Sequence, residues 1–400
     1  MGKQKKLPGT VVIGQSGGPT AVINQSLVGC VETLQALGVA GAILGARNGV
    51  RGVTEERFVD LADLSRERLD RLAATPSAAL GSSRDKPDEA YCERILRSFR
   101  KYDVRTFFYI GGNDSSDTCR IVNELARRDG YELRAFHIPK TVDNDLVEND
   151  HTPGFGSAAR FVACAFIGDN LDNQALPGIK LNIVMGRHAG FLTAASMLGR
   201  THPEDGPHLV YVPEVAFDEE RFLGDVDSVY KRFGRALVAI SEGVHAADGT
   251  PMVTKLAGAV EKDAHGNVQL SGTGALGDFL AELIKTRLGK KLRVRADTFG
   301  YLQRSYPESV SDTDRVEARA VGRFAAELAA GDQHRDGSVA IKRVSQEPYR
   351  VRYERIELTT VAAKTRRLPS EYVVDGKNIA ESYKAYAGPL VGELPSTEQL

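Results

Sequence analysis

The sequence is poor in the residues that mark several protein classes. Its 400 residues include no tryptophan, four methionines and four cysteines. The cysteines are far apart in the chain and form no CxxC pair, so we expect neither a disulfide framework nor a zinc site. They are Cys30, Cys92, Cys119 and Cys164. Such cysteine usage favours a reducing compartment, and we expect a cytoplasmic protein.

A dominant charge and long apolar runs are also missing. With 52 basic and 53 acidic residues the formal net charge is −1, so no overall field would attract nucleic acid or an anionic membrane. No apolar stretch approaches the ~20 residues of a membrane span, and the apolar N-terminal run is too broken for a signal peptide. We therefore expect no nucleic-acid or membrane partner, and any anion site must be local.

What the sequence does contain is an alternation of apolar β-branched runs with helix-period stretches. Because the apolar runs are continuous rather than alternating, they predict parallel strands covered on both faces. This rhythm favours an α/β fold with mainly parallel, doubly wound sheets. The predicted strands cover 10–14, 40–46, 106–112, 134–140, 180–186, 208–214 and 235–243, and the predicted helices include 20–38 and 87–102.

The domain boundaries carry little signal, because the chain has no low-complexity linker. We predict a large first lobe over residues 1–145, completed by parts of 270–400. A smaller second lobe is predicted over 146–270, and a strand-and-helix extension over 330–400.

Ligands of open α/β sheets collect beyond the carboxyl ends of the strands, and the segments there are unusually rich in glycine and charge. The segment "GQSGGPT" (14–20) joins backbone amides to a helix N-terminus, which suits a phosphate, but a strand–helix turn needing positive φ is equally possible. The segment "GGNDSSDT" (111–118) is either an anion-binding loop or a turn in which Asp114 caps the next helix.

The segment "PKTVDND" (139–145) is more specific. Asp143 and Asp145 flank Asn144 directly after a strand, with Lys140 before them. Two carboxylates so close repel each other unless a metal or a proton compensates. One could act as the base for a hydroxyl nucleophile and the other could position a magnesium ion. The alternative is an Asx-turn that caps the following segment.

Other segments are weaker individually. "MGRHAG" (185–190) and "GYLQR" (300–304) each place an arginine beside glycine or an aromatic residue, which suits phosphate binding. Glu242 could bind sugar hydroxyls or cap a turn, and His188 is expected to be structural. "SGTGALG" (271–277) has the GxGxxG spacing of a dinucleotide site, but the preceding strand pattern is short and polar.

Together these motifs resemble the phosphofructokinase family. In chain order they are "SGG", "LGSSR", "GGND", "PKTVDND", "MGRHAG", "SEG" and "GYLQRS", spread over about residues 10–325. Within the family they are most similar to the pyrophosphate-dependent branch. The resemblance implies a two-lobed α/β enzyme with an active site in the cleft between lobes, usually completed by a neighbouring subunit, so we expect a homodimer or homotetramer. It also implies Mg²⁺ as cofactor, and fructose 6-phosphate and pyrophosphate as substrates.

The resemblance also implies residue roles. Asp143 would be the general base that takes the proton from the sugar 1-hydroxyl, and Arg84 would reach the transferred phosphoryl group. Gly18 and Gly112 would contact the donor phosphate. The implied sugar-phosphate residues are Thr141, Asp145, Met185, Gly186, Arg187, Glu242, Arg295, Tyr301 and Arg304. ATP-using relatives commonly have glycine where this chain has Asp114 and Lys140. These two residues would therefore select pyrophosphate, Asp114 by repelling a nucleotide and Lys140 by supplying a positive charge.

The chain departs from the family pattern at two places. The family loop more often reads Gly-Gly-Asp, with the acid serving magnesium, and here that position is Asn113, an uncharged candidate ligand. A family arginine expected before "MGR" falls at Gly178, with Lys180 as a weak substitute.

Three alternatives stay open from the sequence. An ATP-dependent 6-phosphofructokinase shares almost every motif. A non-catalytic regulatory subunit of the same fold is more remote, because Asp143 and Asp145 are both present. An NAD-dependent oxidoreductase depends on "SGTGALG" alone.

Overall fold

The computed structural model describes residues 6–255 and 274–398. The chain forms two compact units. One unit is built from Met1–Val142, Leu146–Gly156 and Val310–Arg366, and the other from Asp143–Asp145, Ser157–Ser309 and Arg367–Leu400. Residues 271–273 of the "SGTGALG" segment, including Gly272, lie outside the described residues.

Strands and helices alternate along most of the described chain. The strands are β1 Thr10–Gln15, β2 Ile43–Ala46, β3 Phe58–Asp60, β4 Val104–Gly111, β5 Arg134–Pro139, β6 Ile179–Val184, β7 Leu209–Tyr211, β8 Ala236–Ser241, β9 Val294–Thr298, β10 Asp336–Ser345, β11 Arg350–Ile356, β12 Val373–Val374 and β13 Asn378–Ile379. The α-helices are α1 Ile23–Leu37, α2 Val50–Thr54, α3 Arg66–Ala74, α4 Glu89–Lys101, α5 Asn113–Arg128, α6 Phe155–Ala175, α7 Phe191–Ala195, α8 Glu219–Phe233, α9 Ala275–Leu288, α10 Asp312–Ala330, α11 Leu358–Val361 and α12 Ser382–Val391.

The first unit contains a seven-stranded sheet in the order β11-β10-β5-β4-β1-β2-β3. The five inner strands are parallel to one another, and the two edge strands are antiparallel to their neighbours. The second unit contains a parallel sheet in the order β7-β8-β6-β9, and a short antiparallel pair, β12-β13. The predicted α/β class with mainly parallel sheets is therefore confirmed.

Both faces of the first sheet are covered, which explains why its central strands read as continuous apolar runs. On β1, Val11 and Ile13 belong to one buried cluster and Val12 to another. On β4, Phe108 likewise faces the first cluster and Phe107 the second. Successive side chains of a strand point to opposite faces, so each run supplies two cores.

The second unit has its own core, formed by the apolar side chains of β6, β7, β8 and the helices α8 and α9. Among the helices of the described residues, none is both long enough and apolar enough to cross a bilayer.

Candidate active site

In the first unit, three of the predicted loops follow neighbouring strands of one sheet. β1 pairs with β4 and β4 pairs with β5, all in parallel, and the last residues of the strands lie in register. The carboxyl ends of parallel neighbours meet at one edge of the sheet. The segments that begin at Ser16, Gly112 and Lys140 therefore emerge side by side, as the sequence predicted.

The loop after β1 is tied to the loop that carries Arg84. Gly17 has φ of +74°, a conformation that favours glycine, and its N–H donates to the carbonyl of Ser83 at 2.9 Å. The hydroxyl of Ser82 donates to the Gly17 carbonyl at 2.6 Å. This pairing brings the backbone around Gly18 next to the segment of Arg84, an exposed side chain.

Lys140 is the most distinctive side chain of this edge. Only 3% of the residue is exposed, and its Nζ donates to the carbonyl oxygen of Gly18 at 2.7 Å. A Cβ added to Gly17 would lie 3.1 Å from the same amine, so a side chain at that position would crowd it. The backbone N–H of Lys140 donates to the carbonyl of Gly111 at 2.9 Å. Lys140 thus places a buried ammonium group against the β1 loop, while its backbone N–H is hydrogen-bonded to the last residue of β4.

The loop after β4 turns directly into α5. Gly112 precedes the helix without a side-chain cap, Asn113 is the first helical residue and Asp114 the second. The interpretation of Asp114 as the helix cap is therefore wrong, because the helix begins one residue before it. The Asp114 side chain is 65% exposed, and its Oδ1 lies 3.4 Å from Nζ of Lys86. An acidic group in a first helical turn is stabilised by the positive end of the helix dipole.

A neutral histidine supports this loop from the neighbouring strand. His137 on β5 is fully buried, with Nε2 2.9 Å from the Gly111 carbonyl and Nδ1 2.8 Å from the Ser338 hydroxyl. Burial lowers the pKa of His137 to about 4. Because the ring is uncharged at neutral pH, Nε2 carries the hydrogen that the carbonyl accepts and Nδ1 accepts from the serine.

After Asp143–Asp145 the chain returns to the first unit over Leu146–Gly156. Thr141 and Gly154 form an isolated parallel bridge, and the hydroxyl of Thr152 donates to the Thr141 carbonyl at 2.8 Å. The returning segment is anchored by a buried charged network around His151. Its partners are Asp150, Glu317, Tyr349 and, through Asp150, Arg343.

The charge state of His151 follows from these partners. Burial alone would lower the pKa of His151, but hydrogen bonds to Asp150 and Glu317 outweigh it and raise the pKa above its ordinary value. Burial of Asp150 acts to raise the pKa of its carboxyl, but hydrogen bonds and charges from His151 and Arg343 outweigh burial and lower this pKa. A protonated imidazole therefore holds this end of the loop between two carboxylates.

The predicted acid pair belongs to the second unit. Asp143 and Asp145 are each partly exposed, whereas Asn144 between them is completely buried. Asn144 adopts the left-handed conformation with φ of +60°, which asparagine tolerates better than most residues. Its side-chain Nδ2 donates to the hydroxyl oxygen of Tyr386 at 2.7 Å. The central amide is thus fixed, and the two carboxylates extend from either side of it.

The loops after β6 and β8 also meet at one sheet edge. Gly186 has φ of +138°, its N–H lies 3.4 Å from Oε1 of Glu242, and its carbonyl accepts a 2.7 Å hydrogen bond from Ser241. A Cβ on Gly243 would lie 2.0 Å from the carbonyl oxygen of Arg187, so only glycine fits there. The structure therefore brings Glu242, which is 7% exposed, together with the segment Met185–Arg187.

A short 3₁₀ helix, Gly300–Arg304, joins the same edge. The side-chain Oε1 of Gln303 accepts a hydrogen bond from the backbone N–H of Met185 at 3.1 Å. The guanidinium of Arg304 lies 4.3 Å from the ring centroid of Tyr301, within the range of a cation–π contact. Tyr301 and Arg304 are thus brought beside Met185. Gln303 was not among the predicted site residues, although it lies inside the "GYLQR" motif.

Arg295 does not join that group within the chain. On β9 it pairs with Lys180, which lies near the start of β6, whereas Met185 follows its end. Five residues of strand separate the two places by about 16 Å. Lys180 is itself ion-paired, with Nζ contacting Asp297 and lying 3.7 Å from Asp169.

The half-buried carboxylate of Glu214 holds the end of the Met185–Gly190 loop, and no sequence motif pointed to this residue. Oε1 of Glu214 accepts from the backbone N–H of Gly190 at 2.9 Å and of Leu368 at 2.8 Å. Burial raises the pKa of Glu214 in spite of these bonds. Partial desolvation lowers the pKa of His188, although the residue is exposed, and the neighbouring guanidinium of Arg187 acts in the same direction. His188 is therefore a neutral imidazole at pH 7.

Among the residues that the structure describes, no three His, Cys, Asp or Glu side chains are grouped so that they could hold a metal ion. The oxygen donors at the predicted positions are the amide of Asn113 in one unit and the carboxylates of Asp143 and Asp145 in the other. Mg²⁺ accepts such donors, usually one or two carboxylates completed by water and substrate phosphates. In each unit, taken by itself, these donors are too few for a protein cage and fit an ion that arrives with a phosphate ligand.

The chain is similar to known proteins in both sequence and structure. A sequence profile described as Phosphofructokinase matches residues 10–329. The chain is 54% identical over 394 residues to the pyrophosphate–fructose 6-phosphate 1-phosphotransferase of Rhodospirillum rubrum, and the match covers 98% of this chain and 96% of that protein. It is 39% identical over 389 residues to the protein of the same name from Halomonas elongata, covering 94% and 90% of the two chains. The crystal structure of pyrophosphate-dependent phosphofructokinase from Nitrosospira multiformis superimposes with a TM-score of 0.85 at 33% identity, covering 98% of this chain and 95% of that chain.

Proposed function

The chain belongs to the phosphofructokinase family, and from this premise we propose that it transfers a phosphoryl group from pyrophosphate to the 1-hydroxyl of fructose 6-phosphate. The products are fructose 1,6-bisphosphate and phosphate, and the reaction is reversible. The observation that carries the choice of donor is the buried amine of Lys140 against the carbonyl of Gly18. Two relatives that match nearly the whole chain bear the name of this activity, which supports the proposal.

The donor residues belong to the first unit. The β1 loop around Gly18 and the start of α5 at Gly112 offer backbone N–H groups near a helix N-terminus, which suits a phosphate. Lys140 adds a positive charge, which stabilises the departing phosphate, and Arg84 contacts the transferred phosphoryl group. Phosphoryl transfer requires little covalent chemistry from the protein, so position and charge neutralisation supply most of the rate.

The acceptor residues other than Thr141 belong to the second unit. Asp143 takes the proton from the sugar 1-hydroxyl as its oxygen attacks phosphorus, and the bond from phosphorus to the bridging oxygen of pyrophosphate breaks in line. Glu242 accepts hydrogen bonds from sugar hydroxyls. Arg304, oriented by its contact with Tyr301, binds the 6-phosphate.

The remaining acceptor residues have supporting roles. Met185, Gly186 and Arg187 line the sugar pocket, and Thr141 and Asp145 lie near the attacking oxygen. Arg295 reaches the 6-phosphate from a neighbouring copy, because within the chain it lies at the other end of the strand from Met185. We accordingly expect a homodimer or homotetramer, located in the cytoplasm.

Magnesium is the expected cofactor. When bound with pyrophosphate, the ion would neutralise part of the charge on the phosphate oxygens. Asn113 would offer its amide oxygen, and Asp145 its carboxylate. Because Asn113 carries no charge where the family more often has aspartate, the ion depends more strongly on the phosphates than on the protein.

Asp114 would oppose ATP. Its exposed carboxylate at the start of α5 would meet the α-phosphate of a nucleotide with like charge, and like-charge contacts discriminate against a ligand. Pyrophosphate has no α-phosphate to be repelled. The ATP-dependent alternative lacks any such supporting observation.

The proposal is tested by following both products. The enzyme is incubated with fructose 6-phosphate, pyrophosphate and Mg²⁺, and fructose 1,6-bisphosphate and phosphate are measured separately. We expect one phosphate for each bisphosphate. Phosphate release without bisphosphate would indicate a pyrophosphatase, and no consumption of pyrophosphate would reject the proposed donor.

A further inference from the structure

The C-terminal helix α12 lies outside the span that matches the family profile, yet it contacts the proposed catalytic segment. The profile ends at residue 329, and α12 covers Ser382–Val391. Tyr386 of this helix accepts the 2.7 Å hydrogen bond from Nδ2 of Asn144. Asn144 separates Asp143 from Asp145, so the contact is one residue from the proposed base.

Asn144 needs such a partner for a physical reason. Its left-handed backbone, with φ of +60°, is unfavourable for residues other than glycine and is best tolerated by asparagine and aspartate. The residue is fully buried, so an amide group without a hydrogen bond would be costly. A fixed partner for the side chain therefore stabilises the backbone conformation that sets the directions of Asp143 and Asp145.

Tyr386 is held firmly enough to serve as that partner. Its ring centroid lies 5.7 Å from that of Tyr383, 5.9 Å from that of Tyr372 and 6.1 Å from that of Phe191. Tyr383 is fully buried, and its hydroxyl donates to the carbonyl of Phe191 at 2.6 Å. Aromatic packing thus fixes the ring, and the ring fixes the position of the hydroxyl.

We propose that Tyr386 is a positioning residue that holds Asn144 in its left-handed conformation and thereby orients Asp143 toward the sugar 1-hydroxyl. This inference rests on the proposed function of Asp143 as the general base. It gives the C-terminal helix a part in the reaction without contact to substrate.

Tyr386→Phe tests the inference, because it removes one oxygen and keeps the ring packing. The matched control is Tyr383→Phe in the same helix, which removes a hydroxyl bonded to Phe191 instead of Asn144. We expect Tyr386→Phe to lower kcat about 10-fold, in keeping with the loss of one hydrogen bond, with the KM for both substrates changed less than about 2-fold. Tyr383→Phe should keep kcat within about 2-fold while losing comparable thermal stability.

Two substitutions at Asn144 separate the backbone from the side chain. Asn144→Gly keeps access to the left-handed conformation, whereas Asn144→Ala does not, so alanine should lower kcat more than glycine. In an Asn144→Gly background, adding Tyr386→Phe should lower kcat by less than about 2-fold, because the bonded pair is already broken.

The outcomes distinguish this inference from the proposed function. Each kcat is expressed as a ratio to that of the unchanged enzyme, measured with the phosphoryl donor that the unchanged enzyme uses. If pyrophosphate is not that donor, the proposed function fails, but the ratios still test the positioning role. Equal kcat for Tyr386→Phe and Tyr383→Phe would overturn the positioning role. So would a rise in KM at constant kcat, or full additivity of the two losses in the double variant.

Discussion

Replacing Lys140 by methionine should separate charge from packing at the donor loops. Methionine nearly preserves the length and apolar bulk of the side chain but removes the amine that donates to Gly18. Because the residue is only 3% exposed, water screens this charge weakly. Two unit charges about 4 Å apart attract by about 4 kcal/mol at an effective permittivity of 20. Loss of one such donor from a preorganised site costs roughly 10²–10³ in kcat.

The assay couples fructose 1,6-bisphosphate formation to NADH oxidation under saturating pyrophosphate and Mg²⁺. Lys140→Met should lower kcat by roughly 10²–10³ and leave the KM for fructose 6-phosphate nearly unchanged. Lys101→Met is the control, because Lys101 forms an exposed ion pair with Glu56, and exposed ion pairs contribute little to stability. If Lys140→Met kept kcat within about 3-fold of the unchanged enzyme while folding normally, the role of this charge in transfer would be refuted.

Four further predictions concern Asp143, Arg304, Asp114 and His151. Asp143→Asn should lower kcat by ~10²–10⁴ with little change in the KM for fructose 6-phosphate, and near-normal turnover would overturn the base assignment. Arg304→Ala should raise the KM for fructose 6-phosphate far more than that for pyrophosphate; equal effects in steady-state kinetics would move the 6-phosphate elsewhere. Asp114→Gly should make ATP a detectable donor, and complete exclusion of ATP by this variant would contradict the proposed repulsion. Because the pKa of His151 is raised on folding, the stabilisation from its protonated ring is present below the unfolded pKa of 6.5 and is lost as pH rises through the folded pKa. The melting temperature of the unchanged protein should therefore fall at alkaline pH more than that of His151→Gln. Equal pH profiles of the two melting temperatures would contradict this.

The parallel core strands could be predicted because strands that are buried on both faces are continuous apolar runs in the sequence. The apolar runs of β1, β4 and β6 appear in the sequence as they do in the sheets. β9 reads "VRADT", and its mixture of charged and small residues hides a strand at the edge of the second sheet. β3 spans only three residues, too few to show a period.

The loops that carry the candidate site could also be predicted, because each follows a strand and contains glycine with a charged residue. Contacts between residues far apart in the chain could not be predicted, because they produce no local sequence pattern. Tyr386 lies 242 residues from Asn144, and nothing in the local sequence of either connects them. Glu214 follows a strand, but its role appears only when the N–H groups of Gly190 and Leu368 are seen to converge on it.

The helix cap shows the limit of local rules. Asp114 is a residue type that caps helices well, and the sequence allowed that interpretation. The helix instead begins at Asn113, because the carbonyl of Gly112 already accepts hydrogen bonds from Ser115 and Ser116. This start places Asp114 in the first turn with its side chain exposed, where its charge is available to a ligand.

The central claim is that pyrophosphate is the donor, and one comparison tests it most directly. The unchanged enzyme is given fructose 6-phosphate and Mg²⁺ with either pyrophosphate or ATP, and kcat/KM is measured for each donor. With Lys140 and Asp114 acting as described, kcat/KM should be at least about 10² higher for pyrophosphate, equivalent to about 2.7 kcal/mol of transition-state stabilisation. An equal or higher value for ATP would contradict the account.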